Sequence, residues 1–265
     1  MLLLTRPRAQ AESWQRQLAL RGIEAQALPL IDIAPSGWET QAHAAAALRL
    51  HTWQALVFVS PSAVAHFCNA TLHAAWQATR QSGHVLPRLW APGPGTATAL
   101  QQQGFAAAQI DQPAANAAQF ESETLWQTVQ AQVHAPSRIL ILRGQDAGAA
   151  ATPSGQGRDW LARQIRQRGA ECEFLAVYER RCPIWSPAEH ALATQAAHSC
   201  ATWLCSSSQA LAHLQQLMPA ADWSRCTALA THPRIAATAQ AIGFGTVQTC
   251  RPDLDSVVAT VTARP

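Results

Sequence analysis

Hydroxyl, glycine and arginine residues recur where the predicted strands of this chain give way to helices. Backbone N–H groups at such turns, together with hydroxyl and guanidinium groups, can bind carboxylates or phosphates. Because open α/β sheets bind ligands beyond the carboxyl ends of their strands, residues at these ends are candidate ligand contacts. They are Thr5, Arg6, Ser60, Ser62, Gly93, Thr96, Arg143, Gly144, Ser206, Ser207, Ser208, His232 and Arg234.

Two of these turns are related but differ in residue type. Residues 93–97 read GPGTA, which favours an anion site, although an ordinary capped turn has the same features. The related turn at 232–236 reads HPRIA, with no glycine and with an arginine in the turn. An arginine at a helix N-terminus opposes the helix dipole, so we interpret Arg234 as facing an anionic ligand.

The serine turns have two interpretations. We expect at least one serine in each to cap the following helix and the others to contact ligand. The pattern is not GxSxG, so a nucleophile elbow is not indicated.

Tyr178 is the only tyrosine of the chain and lies in a predicted strand. Its hydroxyl can donate a proton or a hydrogen bond to a ligand. The alternative is a packed aromatic ring with its hydroxyl at the surface.

The elements that carry these residues form an interleaved repeat. The similar pairs are 2–33 with 139–180, 55–67 with 201–214, and 89–105 with 227–244. Strands alternate with helices throughout, which predicts an α/β fold of two similar domains, each a parallel sheet flanked by helices.

Two divisions of the chain fit this order. The first is discontinuous: residues 1–34 plus 184–265 make one domain, 37–176 the inserted one, and strands about 28–36 and 174–183 a two-stranded linker ladder. The second division is serial, with domains at 1–120 and 138–265. Residues 145–157 have no counterpart in the first repeat unit, and their composition predicts a flexible surface insertion.

Composition excludes several classes of function. The net charge of +3 predicts no nucleic-acid partner. All 19 basic residues are arginine, which excludes lysine Schiff bases and a Walker A lysine. The seven cysteines form no CxxC pair, so we expect no zinc site. The short apolar start MLLLTRPR and the odd cysteine count predict a cytoplasmic protein, and no apolar run predicts a membrane span.

In this order, LLTRP, PLIDI, FVSPSAV, GPGTA, GRDWLARQIRQRGAE and VYERR resemble the uroporphyrinogen-III synthase family over nearly the whole chain. The resemblance implies the discontinuous division, with the active site in the cleft between the domains. It implies cyclisation of hydroxymethylbilane, a linear tetrapyrrole with eight carboxylates, to uroporphyrinogen III. Water is lost, the last pyrrole (ring D) is inverted, and no metal or organic cofactor takes part.

The resemblance also assigns roles to residues. It implies that Tyr178 assists departure of the substrate hydroxyl. It implies substrate contacts at the hydroxyl-bearing strand ends, which are Thr96, Ser60, Ser62, Ser206, Ser207 and Ser208. The HPRIA turn departs from the family's hydroxyl-bearing turn, and there Arg234 is expected to contact a carboxylate instead. We expect a monomer that accepts substrate from hydroxymethylbilane synthase.

Two alternatives remain at this point. A non-catalytic two-domain protein that binds an anion or tetrapyrrole would keep the fold but lack turnover, and the HPRIA departure favours it. A nucleotide-sugar transferase also has two similar α/β domains, but the chain lacks a lysine and a clear acidic diphosphate or metal motif.

Overall fold

The computed structural model describes residues 1–40, 44–114, 122–147 and 156–263. The strands are β1 (Leu2–Leu4), β2 (Ala25–Ala27), β3 (Asp32–Pro35), β4 (Ala55–Phe58), β5 (Arg88–Trp90), β6 (Ile110–Asp111), β7 (Arg138–Asp146), β8 (Glu171–Arg181), β9 (Thr202–Cys205), β10 (Thr227–Ala230) and β11 (Thr246–Thr249). The α-helices are α1 (Arg8–Ala19), α2 (Ala44–Ala47), α3 (Pro61–Phe67), α4 (Ala70–Gln81), α5 (Pro94–Gln102), α6 (Ser122–Val129), α7 (Gln156–Gln167), α8 (Pro187–His198), α9 (Ser208–Leu217), α10 (Pro233–Ala241) and α11 (Leu254–Thr262).

The chain divides into two compact units, which we call the split unit and the central unit. The split unit contains Met1–Ile33 and Arg181–Pro265, and the central unit contains Ala34–Arg180. The chain therefore leaves the split unit once, builds the central unit, and returns.

The split unit is built on a five-stranded sheet in the order β11-β10-β9-β1-β2, whose described pairs are all parallel. Its three inner strands, β1, β9 and β10, are short and largely apolar because both of their faces are covered, whereas the edge strands β2 and β11 carry polar residues. Leu3 packs with Trp203 in one buried cluster, whereas Leu2 and Leu4 pack with Leu18 in another. Successive strand residues point to opposite faces, so the two clusters lie on opposite sides of the sheet.

The central unit is built on a six-stranded sheet in the order β3-β8-β7-β4-β5-β6. The pairs that join β4, β5, β6, β7 and β8 are parallel. Val57 and Ile141 pack with Leu125 of α6, while Phe58 lies 6.0 Å from Phe67 of α3 between ring centroids. The predicted α/β class, with parallel sheets flanked by helices, is confirmed. The two segments predicted as linker strands lie side by side, since β3 neighbours β8.

The sequence predicts strands at 139–142 and 174–180, and both β7 and β8 extend beyond these ranges. Polar side chains hold the extension: Arg180 pairs with Asp146 at 2.8 Å, and Gln145 donates to Glu179 at 3.2 Å. Hydrophobic periodicity gives no signal for ion pairs or hydrogen bonds between polar side chains on neighbouring strands. The predicted insertion at 145–157 is therefore wrong at both ends, since β7 runs to Asp146 and α7 begins at Gln156; residues 148–155 lie outside the described part.

Other elements differ from the sequence-based expectation. The alanine-rich stretch 41–50 predicts a helix, but in the described residues the helix is only α2, followed by a 3-10 turn at Leu50–Thr52. Helix α4 and strands β6 and β11 were not predicted from the sequence. Of the helices described, none is both long and apolar enough for a membrane crossing.

Candidate functional site

In the central unit, a tyrosine on one strand meets a serine in the turn after another strand. Tyr178 lies on β8 and is only 4% exposed, and Ser60 follows the carboxyl end of β4. The Tyr178 hydroxyl oxygen lies 3.1 Å from Ser60 Oγ, and either atom can be the donor. Since β7 lies between β4 and β8, the contact spans three strands of the sheet.

A β-bulge aims Tyr178. In the β7–β8 register Arg143 is opposite Ala176 and Gly144 is opposite Tyr178, so Val177 is the extra residue. Bulges of this kind redirect side chains and are frequent beside active sites. A Cβ built on Gly144 would overlap three carbon atoms of the Tyr178 ring. Glycine at 144 therefore lets the ring lie directly against the backbone of β7.

His66 of α3 is a neighbour of Tyr178 that sequence reasoning missed as a site residue. The two rings stack with centroids 5.9 Å apart and planes 28° from parallel. Partial burial lowers the pKa of His66, which favours the neutral imidazole. In the sequence, His66 and His213 occupy equivalent positions of the repeat, which indicates packing for both and gives no signal that α3 lies against β8.

The other predicted residues of the central unit surround two adjacent helix starts. Ser60 caps α3 by accepting from Ala63 N at 3.2 Å, and Ser62 lies part-buried in the first turn of that helix. Gly93 occupies the N-cap of α5 without a side-chain cap, and Thr96 is buried in the first turn of α5.

The two helix starts lie close together at the ends of neighbouring strands. A Cβ on Gly95 would be 3.9 Å from Pro61 Cγ. Arg143 holds its guanidinium carbon 4.6 Å from the centroid of Phe174. The structure thus brings the two turns together and places Arg143 against an aromatic ring on β8.

In the split unit, Thr5 and Arg6 follow β1 and make contacts within that unit. Thr5 is buried and donates its hydroxyl to Leu204 O at 2.6 Å, which ties the ends of β1 and β9 together. Arg6 stacks on Trp14 with its guanidinium carbon 3.9 Å from the ring centroid, and its Nη2 is 3.4 Å from Pro252 O.

The environment of Arg6 is apolar. Burial lowers the pKa of Arg6 to about 10, an effect that the nearby Cys250 partly opposes, and burial raises the pKa of Cys250 to about 11. Arg6 is therefore charged and Cys250 is a neutral thiol at neutral pH. Among the described carboxylates, none forms an ion pair with Arg6.

The serine turn after β9 is a capped helix start. Ser207 accepts from Ala210 N at 3.4 Å, and Ser208 Oγ accepts from Thr238 Oγ1 at 3.2 Å. Ser206 lies part-buried at the beginning of this turn. Capping by one serine was expected, and the Ser208–Thr238 bond shows that a second serine links α9 to α10.

The HPRIA turn uses an imidazole as its cap. Nδ1 of His232 accepts from Arg234 N at 3.0 Å, so the ring replaces the hydroxyl of an ordinary cap. Because Nδ1 is an acceptor, the neutral ring carries its proton on Nε2. The Arg234 side chain is exposed in the first turn of α10.

The described residues contain no group of three His, Cys, Asp or Glu side chains arranged to hold a metal ion. In that part of the chain, the candidate residues fall into one cluster around Tyr178 and a second set at the strand ends of the split unit. The chemistry available to the first cluster is proton donation by a held phenol, and the second set offers cations and amide donors to anions.

Comparison with known proteins gives one family and several solved structures. A family model described as uroporphyrinogen-III synthase HemD matches residues 12–259. The uroporphyrinogen-III synthetase of Helicobacter pylori is 14% identical, with 99% of each chain covered and a TM-score of 0.57, which shows a shared fold. A mutant uroporphyrinogen III synthase of the extremely thermophilic bacterium Thermus thermophilus is 13% identical, covering 98% of this chain and 96% of that one, with a TM-score of 0.49.

Proposed function

The chain belongs to the uroporphyrinogen-III synthase family, and from this premise we propose that it cyclises hydroxymethylbilane to uroporphyrinogen III. The reaction releases one water and inverts ring D, which makes the protein a cyclising lyase. The observation that carries the proposal is the contact of the buried residue Tyr178 with Ser60: its hydroxyl oxygen lies 3.1 Å from Ser60 Oγ, just beyond the carboxyl end of a parallel strand.

Tyr178 is the general acid in this proposal. Its phenol gives a proton to the departing hydroxyl, and the C–O bond breaks with its electron pair leaving on water. The substituted carbon of ring D then attacks the methylene carbon, which forms a spiro intermediate that rearranges. The proton lost from carbon when the pyrrole regains aromaticity replaces the one given up by Tyr178, so only water is lost overall.

Orientation of the substrate contributes more than acid strength. A flexible tetrapyrrole closes without inversion unless its rings are held in one geometry, and fixing that geometry is an entropic contribution. Arginine and backbone N–H groups suit a polycarboxylate because they bind carboxylate oxygens as planar or convergent donors. Arg234 and the first turn of α5 are the groups we assign to this role, and no cofactor is part of the proposal.

The test is a coupled assay in which hydroxymethylbilane is generated in situ by hydroxymethylbilane synthase. After oxidation, the type I and type III isomers are separated, with the reaction lacking this protein as the baseline. We expect a shift to type III. Type I alone, from a protein shown by circular dichroism to be folded, supports instead the non-catalytic binding protein that the HPRIA turn favours.

Two finer expectations accompany the proposal. We expect the enzyme to act as a monomer, which analytical ultracentrifugation measures. We also expect it to accept hydroxymethylbilane directly from the preceding synthase, so that adding a trap for free hydroxymethylbilane lowers the type III yield only slightly.

A further inference from the structure

We propose that Arg6 is a carboxylate-binding residue of the split unit, and that its ligand is one of the carboxylates of the tetrapyrrole substrate. The identity of the ligand rests on the proposed function, whereas the presence of an anion site does not. The inference is carried by a largely enclosed guanidinium group that forms no ion pair with any carboxylate in the described part of the chain.

The Arg6 side chain lies between α1 and the segment that joins β11 to α11. Its guanidinium carbon is 3.9 Å from the centroid of the Trp14 ring, and its Nη2 donates to Pro252 O at 3.4 Å. Nε is fully enclosed and has no hydrogen-bond partner among the described residues. A guanidinium group carries five N–H donors, so one long bond to a neutral carbonyl leaves most of its capacity for a ligand.

The charge of Arg6 is not neutralised by its surroundings. Burial lowers the pKa of Arg6 only to about 10 and raises the pKa of the neighbouring Cys250 to about 11, so at neutral pH the arginine is a cation and the thiol is uncharged. Enclosed charges in proteins are normally paired, because an unpaired one loses its hydration without compensation. A carboxylate supplies the missing negative charge and accepts two parallel N–H bonds from the planar group.

The carboxylates that follow Pro252 in the chain are engaged elsewhere. Asp253 Oδ1 accepts from Ser256 N at 2.8 Å, which caps α11. Asp255 pairs with Arg21 at 2.7 Å. The segment that contacts Arg6 therefore brings carboxylates into its vicinity in the sequence without providing it with a partner.

Arg8 offers a contrast at the same end of α1. Its side chain is 61% exposed, and it pairs with Glu189 at 2.6 Å. Arg6 is half-buried and has the greater need of a counter-charge. Helix α1 itself provides none, since it has no side-chain cap and no acidic residue in its first turn. Its positive N-terminal end also favours an anion at this place.

The topology of the split unit puts Arg6 where parallel sheets bind ligands. The chain runs from β1 to β2 on one side and from β9 to β10 on the other, so the order β11-β10-β9-β1-β2 reverses direction between β1 and β9. Open α/β sheets bind ligands beyond the carboxyl ends of the strands at such a reversal. The Thr5 hydroxyl joins these two strand ends through Leu204 O, and Arg6 is the next residue.

The experiment compares three variants with wild type. Arg6→Met removes the charge but keeps a long stem against Trp14, and Arg6→Lys keeps the charge but loses the planar pair of donors. Arg8→Met is the matched control, because it removes one positive charge from the same end of α1. KM and kcat are measured in the coupled assay. Binding of uroporphyrin III, the oxidised product that keeps the carboxylates, is measured by quenching of tryptophan fluorescence.

We expect Arg6→Met to raise both KM and the dissociation constant of uroporphyrin III about tenfold, the effect of a lost hydrogen-bonded charge pair. The value of kcat should be nearly unchanged, because a contact made equally to substrate and transition state affects KM alone. Arg6→Lys should give intermediate values, and Arg8→Met should match wild type.

Two results overturn the inference. One is binding of uroporphyrin III to Arg6→Met as tight as to Arg8→Met, and the other is a lowered unfolding midpoint of Arg6→Met with an unchanged KM, which is the signature of a merely structural arginine. If Arg6→Met does not fold, a wild-type dissociation constant in Arg6→Lys has the same meaning.

Failure of the proposed function has a different signature, since wild type then makes no type III isomer. In that case inorganic phosphate is the probe, titrated by calorimetry into wild type and Arg6→Met. Binding to wild type that is lost in Arg6→Met supports the anion site at Arg6 and overturns only the assignment of a tetrapyrrole carboxylate as its ligand. Equal binding, or no binding, overturns the site as well.

Discussion

The equivalent strand ends of the two repeats have the same succession of strand, turn and helix but carry different side chains. In the central unit, Ser60 and His66 meet Tyr178. In the sequence repeat, the positions equivalent to this serine, histidine and tyrosine are occupied by Ser207, His213 and Ile31, respectively, in the split unit. Ile31 is buried and carries no hydroxyl, and His213 Nδ1 lies 2.6 Å from Leu30 O instead of stacking on a phenol.

The strands that carry these residues also differ. Strand β7 continues through Gly144 to Asp146, whereas its counterpart β1 ends at Leu4, and Pro7 stands where Gly144 would be. Proline has no N–H for a ladder, so the split unit cannot extend its strand in the same way. Only one of the two similar scaffolds therefore places a tyrosine hydroxyl beside a serine, and it does so through a longer strand pair, a bulge and one tyrosine.

The largest effect is expected from making the central unit resemble the split unit at position 178. Tyr178→Phe keeps the ring on Gly144 and His66 but removes the hydroxyl. General acids accelerate reactions about 100-fold or more, so we expect kcat for the type III isomer to fall by about 100-fold. The far-ultraviolet circular dichroism spectrum should be unchanged. The coupled assay measures this, and a loss of less than twofold would contradict the assignment of Tyr178 as the acid.

The second effect tests the bulge. In Gly144→Ala the new methyl group overlaps the Tyr178 ring, and we expect unfolding to become easier by about 1–3 kcal/mol, typical of overpacking. Gly95→Ala is the matched control, since its Cβ meets only Pro61 Cγ at 3.9 Å, and it should stabilise α5 by about 0.5–1 kcal/mol. Urea unfolding of both variants measures the difference, and changes of the same sign would refute the close approach.

The strands that the two repeats share could be predicted from the sequence, whereas the arrangement of the candidate site residues could be predicted only in part. The apolar runs at 2–4, 56–59, 202–205 and 227–230 predict buried strands, because buried parallel strands are apolar on both faces, and β1, β4, β9 and β10 lie there. Tyr178 could be singled out as the sole tyrosine, although periodicity did not reveal that the bulge directs it toward Ser60. A bulge depends on cross-strand register, which one strand's sequence does not encode.

The hydrogen-bond roles of Thr5 and His232 could not be predicted from repeat spacing or apolar runs either. Thr5 was a candidate ligand contact, but its hydroxyl is used by Leu204 of the neighbouring strand. His232 was a candidate contact and proves to be a helix cap, which is a role ordinarily assigned to serine or aspartate. Both outcomes depend on local geometry and neighbours that are set only once the sheet forms.

The third effect concerns the two related turns, GPGTA and HPRIA. Arg234 lies exposed at the start of α10, where its charge opposes the helix dipole. Arg234→Gln should therefore stabilise the protein by about 0.3–1 kcal/mol. It should also raise KM about fivefold if Arg234 contacts a substrate carboxylate as proposed. Arg163→Gln, a change on α7 outside the candidate set, is the charge control. Calorimetry and the coupled assay measure the two signs, and a KM equal to that of wild type would remove Arg234 from the binding role.

The smallest effect is a pH dependence of stability that belongs to His66. Burial holds its pKa below the ordinary value of 6.5, so between the two values the unfolded chain binds a proton that the folded protein does not. Stability contributed by the neutral ring is present above pH 6.5 and is lost as the pH falls below it.

His66→Phe keeps an aromatic ring against Tyr178 but cannot titrate. Its unfolding midpoint should therefore vary less than that of wild type between about pH 7 and about pH 5, the range in which histidine titrates. His198→Gln replaces an exposed histidine and should retain the wild-type dependence. If His66→Phe has the same pH slope as wild type, the neutral imidazole beside Tyr178 makes no contribution, and the difference between His66 and His213 reduces to packing.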